Sequence, residues 1–152
     1  MSRTAAIRRW LALTAFAAWV GGFMFYGGAV VPALGDQMDA MASGAITRRV
    51  TDLLNRVGIV ALAIWWLDVA RWPPPTRRLG LGFLAISTLL HAWLLALHSV
   101  MDAVLDGSSA IGFHRLHRLY LLTNTAQWAA NLGLLAAAVV VPQALKPIER
   151  NQ

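Results

Sequence analysis

Cysteine is absent from the 152 residues. Its absence excludes disulfides, thiol chemistry and thiolate metal sites. Charge is scarce as well. Only 13% of the residues are charged, against about a quarter in a typical soluble domain. No Gly-rich phosphate loop, no paired carboxylates and no serine or cysteine nucleophile motif occur. Neither a hydrolase nor a kinase is indicated, and no catalytic residue is assigned. Internal repeats, low-complexity segments and a second domain are also missing.

What the chain has is apolar length: 58% of its residues are hydrophobic. Trp10 to Ala33, Leu79 to Met101 and Leu119 to Leu145 each run without a charged residue. A helix needs about 20 residues to cross about 30 Å of hydrocarbon. A fourth segment, Val57 to Leu67, is uncharged over 11 residues. Extended from Val50 to Trp72, it encloses Arg56 and Asp68 near its ends. The expected fold is therefore all-α, an integral membrane four-helix bundle with spans at 10–33, 50–72, 79–102 and 118–142. Arg3, Arg8 and Arg9 before an apolar run resemble a signal peptide. The run is too long for one and lacks a cleavage site, so it is read as a retained first span.

The net charge is +6. The arginines gather at span ends and not in one patch, which argues against nucleic acid as a partner. Arg3, Arg8, Arg9, Arg71, Arg77, Arg78, Lys146 and Arg150 fall on one side of the expected topology. Arg48, Arg49, Arg56, Arg115 and Arg118 fall on the other. That asymmetry places both termini in the cytoplasm, in the inner membrane. Pro73-Pro74-Pro75 stops a helix and predicts a tight turn between spans two and three. Trp10, Trp65, Trp66 and Trp72 read as an aromatic belt at that level. Ile46, Val50, Leu53, Leu54 and Val57 follow helical spacing and predict a short amphipathic helix before the second span.

Polar residues inside the apolar runs are costly in lipid and should face protein or a water-filled cavity. His117, Asn124 and Asn131 stand seven residues apart, in one stripe along the last span. His91, His98 and Asp102 form a matching stripe on the span before it. Asp102 and His98 are an i, i+4 pair. With Arg56 as the expected counter-charge, His98, Asp102, His117 and Asn124 make a candidate site for a ligand, an ion or a proton. His91, His98, His114 and His117 are the candidate ligands for a divalent metal or haem. The alternative is a buried hydrogen-bond network with no further role. Asp68 is expected in a structural ion pair with Arg71, with Arg8 or Arg9 also within reach. Gly21, Gly22, Gly27 and Gly28 give span one a small-residue face, with Ala18 to Gly22 expected to pack within the bundle. The same face is the candidate surface for a second copy or for other membrane proteins, beside the lipid bilayer itself.

Taken together, Trp19-Val-Gly-Gly22, Phe25, Pro32, Phe113-x-x-x-His117 and Asn124 resemble a known family. It is the transmembrane protein 205-like family of small four-span membrane proteins, whose bacterial members are grouped as a domain of unknown function. Tyr120 stands where many members carry serine. The resemblance covers nearly the whole chain. It implies a four-span membrane fold and no defined activity. The layout is also similar to copper-resistance membrane proteins and haem-pathway membrane oxidases, an analogy of fold alone. The functional expectations are binding or movement of a small solute, ion or proton, a haem- or metal-dependent redox role, or a scaffold role.

Overall fold

The computed structural model describes residues 3–105 and 112–144, with side chains omitted at 40, 41 and 140–144. Lys146 and Arg150, counted in the charge asymmetry, lie outside the described residues, as does part of the expected outer loop. Every described element is helical: α1 (Arg3–Phe25), a π-helical turn (Tyr26–Val30), α2 (Val31–Gln37), α3 (Ala40–Val69), α4 (Pro74–Leu105) and α5 (Phe113–Ala144). Among the described residues, three helical stretches are long and apolar enough to cross a membrane. They are Arg3–Gln37, Ala42–Val69 and Pro74–Leu105. The expected fourth span, α5, is 32 residues long but is not one of the three. The side chains of its last apolar turn, with Val140 and Val141, fall outside those described.

The helix boundaries have local causes. Pro32 has no N–H to donate back to Gly28. Just ahead of it the ladder widens, and the Val31 N–H donates to the Tyr26 carbonyl across the π-helical turn. The chain then breaks at Met38, whose backbone is extended. Asp39 restarts it as an N-cap, its Oδ1 accepting from the Ala42 N–H at 2.9 Å. From there α3 runs unbroken to Val69. The short amphipathic helix expected before the second span is therefore not separate. No proline lies between Pro32 and Pro73, so nothing ends the helix before the apolar segment begins. At the next turn Pro74 and Pro75 open α4, where missing N–H groups cost nothing. The Pro73 carbonyl accepts from the Arg77 N–H at 2.8 Å and from the Thr76 hydroxyl at 3.1 Å.

The chain divides into two compact units, Met1–Asp68 and Val69–Gln152. In the first, α1 and α3 are antiparallel. Arg8 and Arg9 meet Asp68 at one end, Phe16 packs edge-on to Trp65, and Gly22 lies against Leu54 further along. A Cβ on Gly22 would come within 2.8 Å of Leu54 Cδ2, so that side chain would have to shift. Gly21, Gly27 and Gly28 have open space where a Cβ would be. The expected packing face thus narrows to Gly22 with the buried Ala12, Phe16, Trp19 and Tyr26, and Ala18 is exposed. The expected tryptophan belt also divides. Trp65 and Trp72 are core residues at 0% and 4% exposure, whereas Trp10 and Trp66 are exposed at 63% and 38%.

In the second unit α4 and α5 are antiparallel. The Phe83 ring fills the space beside Gly133, Ser87 bonds Asn131, and Leu94 and Leu97 cluster with Tyr120. Met101 and Leu116 close that cluster. Gly80 is covered by the Trp72 ring and Val69.

Candidate functional site

The buried stripe of α4 is Gly80, Leu84, Ser87, His91, Leu94 and Leu97. Its spacing of three and four is that of one helix face. Facing it, α5 buries Tyr120, Thr123, Gln127, Ala130, Asn131, Leu134, Ala137 and Ala138. Two hydrogen bonds cross this seam. The Ser87 hydroxyl donates to Asn131 Oδ1 at 2.6 Å. Gln127 Nε2 donates to the Ser87 carbonyl at 3.1 Å. All three residues are at most 3% exposed. The carbonyl bond is notable because a helix carbonyl already accepts from within its own helix. Gln127 uses its second lone pair. Ser87 thus ties both residues of α5 through two different oxygens. One turn further along α4 lies His91, 3% exposed and on the same face. The adjacent threonines settle their own hydroxyls, Thr88 on the Leu84 carbonyl at 2.7 Å and Thr125 on Leu121 at 2.9 Å.

The expected stripe of His117, Asn124 and Asn131 is only partly the buried one. Asn131 lies in the seam, Asn124 is half-buried and His117 is exposed. The cause is the mismatch between a seven-residue spacing and 3.6 residues per turn, about 20° per heptad. Counted from Gln127 at the centre of the buried face, His117 stands roughly 80° away and Asn124 roughly 60°. Ser87 and Gln127, absent from the expected site, hold its centre. The signal was present in the sequence as two i, i+4 polar pairs, Ser87 with His91 and Gln127 with Asn131.

His98 and Asp102 come together as expected. Their Nε2 and Oδ2 are 3.8 Å apart, an ion-pair distance too long for a hydrogen bond. Arg56, the expected counter-charge, belongs to the first unit. It is exposed and pairs with Asp52 one turn back on α3, at 2.7 Å. His114 and His117 are exposed around Phe113, whose ring stacks on His117 with centroids 5.8 Å apart and meets His114 edge-on. Among the described residues, no three histidine or acidic side chains group in a way that would hold a metal ion. His91, His98, His114 and His117 therefore do not make one metal cluster.

Asp68, at 1% exposure, is held from two sides. Arg8 Nε reaches Oδ1 at 3.0 Å and Arg9 Nε reaches Oδ2 at 2.8 Å. Both of the more distant expected partners are thus in place. Arg71, the nearer one in sequence, is exposed and has a partner of its own. Comparison with family models, with curated proteins and with solved structures finds no match. The seam must be read from its own chemistry.

Proposed function

We propose that the chain is a multi-pass protein of the inner membrane, with both termini cytoplasmic and α5 as its fourth span, of the transmembrane protein 205-like type. We further propose that the α4/α5 seam binds or relays a small polar solute, an ion or a proton. The observation that carries the second reading is the buried bond from Ser87 to Asn131 at 2.6 Å, with the buried, titratable His91 next on the same face. A histidine is the side chain that changes charge near neutral pH. Hydroxyl and amide groups beside it supply both donors and acceptors. Buried polar groups of this kind in an apolar helix pair mark pathways for solutes and protons. The residues also argue for this chemistry over hydrolysis, since the Ser87 hydroxyl donates to Asn131 and not to the histidine.

The test is transport in proteoliposomes loaded with a pH-sensitive dye. An imposed proton gradient should decay faster with the wild-type chain than in protein-free vesicles, and His91→Phe should remove the difference. If the wild type adds nothing, a thermal-shift panel of small polar solutes follows. Absence of any shift there would leave the seam as a helix staple and sink the transport reading. Reporter fusions truncated after Asp39 and after Pro73 should report opposite sides of the membrane. Matching signals would overturn the span count.

A further inference from the structure

The group formed by Arg8, Asp68 and Arg9 carries one positive charge more than it neutralises. Two guanidinium groups share a single carboxylate that is 1% exposed, and their side chains are 22% and 15% exposed. Arg8 donates to Asp68 from Nε, the base of its fork, while the Arg9 Nε lies 2.8 Å from the other oxygen without hydrogen-bond geometry. Among the described residues Arg8 makes no polar contact besides this one. Its Nη donors are therefore uncommitted, and they form the planar pair that suits phosphate oxygens.

The surroundings indicate depth. Trp10 follows Arg9 in sequence and Trp66 precedes Asp68 by two residues; they are 63% and 38% exposed. Exposed tryptophans collect at the headgroup level of a bilayer. Ile7 and Leu67, at 59% and 60% exposure, flank the same charges with apolar surface. An excess cation at the headgroup level, with exposed apolar side chains beside it, matches a molecule that has a phosphate and acyl chains.

We infer that Arg8, backed by the Arg9–Asp68 pair, binds the phosphate of an anionic phospholipid. The lipid phosphate supplies the missing negative charge, and its chains cover Ile7 and Leu67. Free phosphate shares the headgroup chemistry but leaves that apolar surface uncovered. The inference rests on the membrane reading above.

The test is native mass spectrometry of the detergent-purified full chain with phosphatidylglycerol, phosphatidylcholine or inorganic phosphate. The wild type should retain phosphatidylglycerol in preference to phosphatidylcholine. Arg8→Gln should weaken that retention about fivefold, the effect of one basic residue at an anionic surface. It keeps Asp68 paired one-to-one with Arg9, and a thermal melt in detergent should show it folded. Arg8→Lys should fall between. Arg3→Gln removes the same formal charge from the exposed start of α1 and should leave retention in 0.5 M salt unchanged. The site is overturned if Arg8→Gln matches wild type, if Arg3→Gln loses as much, or if both lipids are held equally. Displacement of the lipid by inorganic phosphate at equal concentration would make it a free-anion site and overturn the lipid assignment. Alkaline carbonate extraction separates the two readings. A chain released to the supernatant defeats the membrane reading and this inference together. A chain that stays in the pellet while Arg8→Gln matches wild type defeats the inference alone.

Discussion

The two helix pairs solve one problem with different chemistry. In the first unit, α1 and α3 are joined at one end by full charges, Arg8 and Arg9 on Asp68. In the second, α4 and α5 are joined near their midpoints by neutral groups, Ser87 with Asn131 and Gln127. The difference follows depth along the helix. A charge far from water carries a desolvation cost that grows with depth, so it survives near a helix end and only when paired. A hydroxyl or an amide costs less and can be satisfied in place. Packing differs in parallel. The first pair interlocks large aromatics, Phe16 on Trp65. The second uses glycine as a socket, Gly133 receiving the Phe83 ring.

The sharpest way to break this contrast is to remove the shared anion. Asp68→Ala leaves two arginines facing each other with their common carboxylate gone. It should cost about 3–5 kcal/mol, as breaking a buried pair does, read as denaturant unfolding in detergent. A loss under about 1 kcal/mol would mean the charged end does not hold the first pair. Next in size is the socket. A Cβ at Gly133 would lie 2.5 Å from the Phe83 ring. Gly133→Ala should cost about 1–3 kcal/mol by overpacking, and Phe83→Leu in the same chain should recover most of it. Failure of that rescue would show that the ring is free to move aside.

The neutral seam should respond less than the charged end. Ser87→Ala takes the hydroxyl donor from Asn131 and should cost about 0.6 kcal/mol, up to about 1.7, the range for interhelical bonds in membranes. A double-mutant cycle with Asn131→Leu isolates the coupling. Coupling indistinguishable from zero would remove the bond from the account of stability. The smallest effect is expected at Gly28, where nothing would meet a Cβ. Gly28→Ala should leave folding unchanged or improve it by up to about 1 kcal/mol. If it instead dissociates an oligomer on a sizing column, the open glycine face is an interface after all.

Much of the helical layout could be read from the runs without charge, because burying or solvating apolar length leaves few alternatives. The partners of Asp68 could be read from charge alone: an acid near the end of one apolar helix needs a cation, and Arg8 and Arg9 stand near the start of another. His98 with Asp102 followed from i, i+4 spacing. The seam was harder. A heptad stripe chosen from His117 drifts off the buried face, and only its last member, Asn131, reaches it. Ser87 does not stand out in the sequence, because a hydroxyl in an apolar helix commonly bonds its own backbone, as those of Thr88 and Thr125 do here. What separates Ser87 from Thr88 is which way each side chain faces, and that depends on the partner helix. The division of the tryptophans into core and exposed sets has the same origin, since Trp65 and Trp66 are adjacent in sequence.

The sharing of one carboxylate by two arginines also has a consequence in time. Arg8 is 60 residues ahead of Asp68. At roughly 5–20 residues per second, α1 leaves the ribosome roughly 3–12 s before its neutralising partner exists. During that interval both arginines are bare cations, and bare cations flanking a first span hold it to the cytoplasmic side. If α1 is the proposed first span, its orientation is decided while the charge is uncompensated. Asp68 arrives only after the decision, so neutralising the arginines then no longer costs the chain its topological signal.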